Sequence, residues 1–207
     1  MKTNVYVDGF NLYYGCVKST PYKWLDLSAL CRILLPKHQI HRIRYFTSRV
    51  WATADDPQMP QRQDIFLRAL KTIPNLSIHY GHFLSHHTRM PLAHPSPNRP
   101  KTVEVIKTEE KGSDVNLATF LLVDGFQSDY EQAVVISNDS DLLKPISLVR
   151  EKLGFPIGVF NPHKETSWAL RNAATFYRRI RLSALQASQF PHTLKDAQGI
   201  FAKPARW

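Results

Sequence analysis

The chain is 207 residues long, with 27 Lys and Arg against 17 Asp and Glu, a formal net charge of +10 and an apolar share of 43%. That size and apolar content give one large domain with a real core, possessing far too many core-forming residues for wholesale disorder. No apolar run nears the ~18 residues that span a bilayer, the opening MKTNVYVDGF does not read as a signal peptide, and Cys16 and Cys31 are too few for a disulfide framework or a thiolate zinc cage. The expected setting is therefore cytoplasmic, with no membrane partner. The basic balance points to a polyanion, because basic surfaces gain from counterion release on a phosphate backbone.

In chain order, Val5 and Val7 alternate with Tyr6 in a short strand that ends at Asp8-Gly9. Leu27, Leu30, Ile33 and Leu34 recur at helical spacing up to Pro36, and Ile40–Thr47 reads as a second strand. Pro60 suits a first helical turn, with Phe66, Leu70 and Ile73 on one face before Pro74. Leu76–Phe83 is a third strand candidate. Ser85–Lys101 holds four prolines and no sustained period, which predicts a long exposed loop, with a short extended piece at Val103–Lys107 after it. Ser113 is placed to cap a helix carrying Leu117 and Leu121 as far as Asp124-Gly125. Ala133–Ser137 (AVVIS) is a continuous apolar run, as expected of a central parallel strand. Leu142, Ile146, Val149 and Leu153 form the next helix, closed by Gly154, and Pro156–Phe160 is a further strand. FYRRIR, Phe176–Arg181, is a basic edge strand or helix. The alternation predicts an α/β fold with helices on both faces of a mostly parallel sheet. We divide it into one domain, 1–182, and a basic C-terminal tail, 183–207, whose composition suits packing on the body or on a second copy of the chain. A homo-oligomer is thus left open.

The acids fall where such a fold binds ligands, beyond the carboxyl ends of the strands. Asp8 ends the first strand, Asp139 and Asp141 follow the AVVIS strand, and Asp114 opens a helix. Each has a bland reading as a turn or helix-capping residue. Convergence of three segments on one edge is harder to explain that way. Clustered carboxylates repel one another unless a cation sits among them, and Mg²⁺ or Mn²⁺ prefers oxygen ligands. An acidic pocket in a basic protein suits phosphodiester chemistry. The chain has no dinucleotide-loop glycine spacing, GxxxxGK[ST] or GxSxG.

VYVDGFNLYYG, KGSDVNLATFLL and VVISNDSDLLKPI together resemble the NYN domain, a branch of the PIN-like nuclease superfamily, and the likeness runs from about Lys2 to Ile180. The resemblance implies a three-layer α/β/α Rossmann-like sandwich. It implies a metal-dependent endoribonuclease, with Mg²⁺ or Mn²⁺ held by Asp8, Asp114, Asp139 and Asp141 and water attacking the phosphorus. Asn11 would orient Asp8 or a water, Ser137 and Asn138 would assist by hydrogen bonds, and a further acid would be Glu109 or Glu110. RNA is favoured over DNA as partner. A catalytically weak RNA-binding or regulatory protein and a structure-specific DNA nuclease are the alternatives, since no residue here reports a 2′-hydroxyl.

Lys107 and Lys111 lie just before Asp114 and are candidate phosphate contacts, as are Arg44, Arg49, Arg178, Arg179 and Arg181 in aggregate. Tyr13, Tyr14, Tyr22, Trp24 and Trp51 are candidates to stack bases, although such rings are more often core. Five of nine histidines fall between His79 and His94, and a polar loop over the active-site edge explains them better than zinc does.

Overall fold

The computed structural model describes residues 1–96 and 100–207. Strand β1 (Lys2–Asp8) leads into a one-turn helix α1 (Gly9–Leu12) and a π-helical turn over Tyr13–Val17, followed by α2 (Leu27–Leu34), β2 (Gln39–Thr47), α3 (Met59–Leu70) and β3 (Leu76–Tyr80). A two-stranded ribbon comes next, β4 (His82–Pro91) and β5 (Thr102–Lys111), then α4 (Ser113–Phe126), β6 (Gln132–Ile136) and a 3-10 turn at Ser140–Leu142. The chain finishes with α5 (Leu143–Glu151), β7 (Ile157–Asn161), α6 (Trp168–Ala173), β8 (Phe176–Arg179), α7 (Leu182–Gln186) and the hairpin β9 (Thr193–Asp196)–β10 (Gly199–Ala202).

The six-stranded central sheet has the order β3-β2-β1-β6-β7-β8, and every neighbouring pair is parallel. Alternation along the strands builds two cores. Val5, Val7, Ile43, Val134 and Ile136 face the layer of α2, α3 and α7, whereas Tyr6, Phe46, Ala133 and Val135 face α4, α5 and α6. Helices on both faces confirm the expected α/β/α sandwich. The strand order reverses between β1 and β6, so the crevice above that junction is the switch point of the sheet.

One buried polar network braces the second layer. Arg44 makes two 2.7 Å bonds to Asp124, Tyr6 donates its hydroxyl to the same carboxylate at 2.7 Å, and the guanidinium lies 4.5 Å from the Phe120 ring centroid. Arg44 is thus an internal strut rather than a phosphate contact.

The structure departs from the expected elements in three places. The run read as a loop, Ser85–Lys101, is strand through Pro91, paired in register from His82↔Lys111 to Pro91↔Thr102, with residues 97–99 of that loop lying outside the described residues. Both faces of this ribbon are largely exposed, so no apolar alternation marks it in the sequence. The third strand candidate breaks at Gly81, where the chain leaves the sheet for the ribbon. A Cβ there would lie 2.5 Å from the Lys111 carbonyl oxygen and 2.8 Å from the Ser113 nitrogen. The helix α4 is capped by Gly112 at φ 93° rather than by Ser113, whose hydroxyl is bonded elsewhere. The tail packs on the body: Trp24 meets Phe190, Phe201 and Trp207 at centroid distances of 5.6, 6.5 and 6.4 Å, and Arg68 grips Asp196 with two 2.7 Å bonds.

Candidate active site

Above the switch point, two strand ends are stitched together by their own side chains. Asp8 caps α1 through Oδ1, which accepts from the Asn11 nitrogen at 2.9 Å, and its Oδ2 accepts from Ser137 Oγ at 3.0 Å. Ser137 Oγ in turn accepts from the Asp139 nitrogen at 3.1 Å, and Asp139 Oδ1 accepts from the Asp141 nitrogen at 3.0 Å. Asn11 Oδ1 accepts from the Asn138 nitrogen at 2.9 Å, tying the loop after β1 to the loop after β6. These bonds fix the two acids from opposite sides of one crevice. Each spends one oxygen on a cap and keeps the other turned to neighbours or solvent.

The crevice is a cleft of about 310 Å³ lined by Asp8, Asn11, Glu110, Ser113, Asp114 and Asp139, with Phe10, Tyr14 and Phe83 beside them. Asp114 arrives on the first turn of α4, and Glu110 arrives from β5. Glu110 is held firmly: Oε1 accepts from Ser48 Oγ at 2.6 Å and Oε2 from Ser113 Oγ at 2.7 Å. Glu109, the next residue along the strand, points to the other face of the ribbon, where it pairs with Lys107 at 2.7 Å and Lys111 at 3.4 Å. Of the two candidates for a further acid, Glu110 lines the cleft and Glu109 does not. The same alternation, with two lysines flanking Glu109 at i±2, was the sequence signal that separates them.

The electrostatics are those of an unneutralised acid cluster. Burial first, then the charges of Asp114 and Asp139, push Asp8 up to about 7 against the hydrogen bonds from Asn11 and Ser137. Burial, followed by Asp139, Glu110 and Asp141, raises Asp114 to about 6. Among the described residues, none of Asp8, Glu110, Asp114, Asp139 and Asp141 is ion-paired. A divalent cation fits this chemistry, because it would supply the missing positive charge to oxygen donors. Yet no group of three or more His, Cys, Asp or Glu side chains among the described residues is drawn together as a ready-made metal cage. That suits an ion which keeps several waters and takes only one or two carboxylates directly, as Mg²⁺ does.

The other expected site residues are placed as follows. Asp141 is exposed and lines a neighbouring depression with Lys144 and Glu151, reaching the cluster through its charge on Asp114. Asn138 is spent within the protein: its Oδ1 accepts from Ser167 and from the Tyr177 hydroxyl, and its Nδ2 donates to the Glu165 carbonyl. Ser137 is buried and serves Asp8 and Asp139. Both are positioning residues in this arrangement rather than substrate contacts. Lys107 and Lys111 are engaged with Glu109, and Arg49 is paired with Asp64 and lies over Tyr80. Tyr13 lines a separate cavity next to the cleft. Trp24 is core, 1% exposed. Neighbours on a strand, His86 and His87 point to opposite faces of β4 and join no metal-ligating cluster among the described residues.

Arg178, Arg179 and Arg181 sit at or just beyond the carboxyl end of β8, on the same edge of the all-parallel sheet as Asp8 and Asp139. They line a broad groove with Ile33, Leu34 and Leu182, and none is ion-paired among the described residues.

A family model described as the NYN domain matches residues 2–182. The chain is 30% identical over 240 aligned positions to 6-hydroxy-3-succinoylpyridine 3-monooxygenase HspA of Pseudomonas putida, with 100% of this chain and 75% of that protein covered. In fold it is similar to a crystal structure of a protein of unknown function from Vibrio parahaemolyticus, with a TM-score of 0.54 and 16% identity over 87% of this chain and 93% of the other. Among the described residues no helix is long and apolar enough to cross a membrane.

Proposed function

The chain belongs to the NYN domain family, whose nuclease-like fold it shares, and on that premise we propose that it is a metal-dependent endoribonuclease. The observation that carries this reading is the cluster of Asp8, Glu110, Asp114 and Asp139 in one cleft at the switch point, with no ion-pairing partner among the described residues. Of Asp8, Asp114 and Asp139, one or two would hold Mg²⁺ or Mn²⁺ directly and the rest through its waters, with Glu110 and Asp141 adding negative charge around them. Bound there, the metal supplies a lowered water pKa and positive charge for phosphate oxygens. The protein's own part is positional. Ser137 and Asn11 lock the rotamer of Asp8 and the spacing of the two loops, and Ser48 and Ser113 lock Glu110. The arginines at the β8 end give a phosphate backbone a basic track along the same edge of the sheet. RNA is the preferred substrate on the family likeness.

The test is cleavage of labelled RNA and matched DNA with Mn²⁺, Mg²⁺ or EDTA, beside Asp139→Asn. The carboxamide can still accept from the Asp141 nitrogen as a cap, so the fold should stand. We expect metal-dependent cutting, RNA over DNA, reduced at least ~100-fold in the variant, which corresponds to about 3 kcal/mol of transition-state stabilisation. Undiminished cutting by Asp139→Asn would remove this site from consideration. The name of the Pseudomonas relative favours a second reading, oxygenation of a small pyridine. Hydroxylated product from 6-hydroxy-3-succinoylpyridine, O₂ and a reductant, with no RNA cleavage, would establish it instead.

A further inference from the structure

Beside the acid cleft, and sharing Phe10 and Tyr14 with it, lies a more enclosed cavity of about 120 Å³. Phe10, Tyr13, Tyr14, Tyr45, Phe66 and Trp207 line it. Phe10 and Tyr14 are stacked, 6.4 Å apart with their planes at 25°, and Tyr13 stands edge-on to Tyr14 at 5.3 Å. Besides the tyrosine hydroxyls, the polar part of the wall is Lys23, Thr47, Asp56, Arg62 and Gln63. Gln63 is occupied: it accepts from the Val50 nitrogen at 2.9 Å and donates to the Ser48 carbonyl at 2.8 Å. Arg62 is only half occupied. Its Nη2 is paired with Asp56, whereas its Nη1 is buried with no partner among the described residues.

Three features together specify an occupant. An apolar cavity of ~150 Å³ accepts a benzene ring, so this space takes one ring and excludes a second nucleotide. Aromatic walls favour a flat π-face over an aliphatic chain. A buried guanidinium N–H without an acceptor is costly, and a ring nitrogen or carbonyl oxygen on the occupant would satisfy it. Gly9, at the wall of the cavity, directly follows Asp8 at the wall of the cleft, so an occupant's ring lies one residue from the acids.

We propose that this cavity seats one planar nitrogen heterocycle, the unpaired base of a nucleotide whose phosphate lies in the acid cleft. The proposal rests on the phosphodiester reading above and gives it a specificity element. Arg62 donates from Nη1 to the base, and Phe10 and Tyr14 form the partition between base and phosphate. Cleavage then requires a base free to leave its stack, so single-stranded segments are cut and continuous duplex is spared.

The test is isothermal titration in EDTA with cytidine and adenosine monophosphates and with 3-hydroxypyridine, on wild type, Asp139→Asn, Arg62→Met and Val50→Phe, alongside cleavage of single-stranded and duplex RNA. Met59→Phe serves as the filling variant should Val50→Phe fail to melt cooperatively, since Met59 also lines the cavity and is only partly buried. We expect saturable nucleotide binding by wild type and Asp139→Asn, weakened about tenfold or more by Arg62→Met and by the filling variant, with KM for single-stranded RNA raised in parallel. Nucleotide binding unchanged by both cavity substitutions overturns the proposal. A wild type that cuts RNA yet binds no nucleotide overturns the seat and leaves the nuclease standing. Heat with 3-hydroxypyridine but with neither nucleotide overturns the base as occupant. Cavity-dependent nucleotide binding by a protein that cuts no RNA supports the seat and counts against the nuclease.

Discussion

Replacing Asp8 by Asn should stabilise the metal-free protein at alkaline pH. The side chain is 5% exposed, and burial with the neighbouring acids holds its carboxyl at about 7 instead of the ordinary 3.8. Between those two values the native state keeps a proton that the unfolded chain has released. Unfolding free energy therefore falls as pH rises from about 4 to about 7, and it stays low above that window. The displacement from 3.8 to about 7 corresponds to on the order of 4 kcal/mol in the absence of metal. A carboxamide carries no charge at any pH, so Asp8→Asn should flatten the profile. Part of the gain is lost again: Ser137 Oγ donates to Asp8 Oδ2 while accepting from the Asp139 nitrogen, and an amide nitrogen there would leave the hydroxyl proton without its acceptor. That costs about 1 kcal/mol, leaving the variant ahead by roughly 2–3 kcal/mol at pH 8. Urea denaturation of both proteins in EDTA at pH 5 and pH 8 measures it, and a repeat in Mn²⁺ should raise wild type more than the variant. A wild type equally stable at pH 5 and pH 8, or a variant weaker than wild type at pH 8, would refute the account of an unneutralised acid cluster.

Glu110→Gln should slow cleavage at least ~10-fold, about 1.4 kcal/mol, while Glu109→Gln on the opposite face of the ribbon leaves it unchanged; initial rates on one RNA substrate compare them. Replacing Arg178, Arg179 and Arg181 together by Gln should weaken RNA binding and reduce the slope of log K against log salt by about 2, given ~0.7 per phosphate on a single strand; filter binding across a salt series reads it. Asp124→Asn should cost roughly 3–5 kcal/mol, because it breaks the pair that holds the Arg44 guanidinium inside the second layer; chemical denaturation checks the value. Gly9→Ala should cost about 1–3 kcal/mol and most of the activity, since its Cβ would lie 2.6 Å from the Tyr45 hydroxyl and 2.7 Å from the Phe46 carbonyl oxygen.

The central sheet was legible because its strands announce themselves chemically. AVVIS is buried on both faces, and Val5-Tyr6-Val7 sends alternate side chains into two different cores. The ribbon was not legible, for the converse reason: His82–Pro91 and Thr102–Lys111 bury neither face fully, so hydropathy carries no period and the prolines near the tip dominate the pattern. The positions of Asp8, Asp114 and Asp139 at one crevice followed from strand ends and a helix start, which are one-dimensional features. The partners of Lys107, Arg44 and Asn138 did not follow, because each is settled by a long-range contact or a face of a strand that propensity leaves open. The aromatic cavity assembles from α1, β2, α3 and the last residue of the chain, a set no local window contains.

Capping and chemistry are not competing readings of Asp8 and Asp139. Each uses Oδ1 to cap the turn that follows its strand, and that bond fixes the rotamer which leaves Oδ2 free of the cap. Capping alone, however, asks for nothing more than a short polar side chain: Ser and Asn serve about as well as Asp, without the charge. At an isolated helix start the charge would be a small advantage through the dipole. Here it is a burden, because burial and the charges of Asp114 and Asp139 raise the proton affinity of Asp8, and burial and the charges of Asp139, Glu110 and Asp141 raise that of Asp114. The hydrogen bonds from Asn11 and Ser137 lower the Asp8 pKa but do not return it to its ordinary value. Negative charge in excess of what the caps require is gathered where an open α/β sheet accepts ligands, and either a bound proton or a positively charged occupant would relieve it.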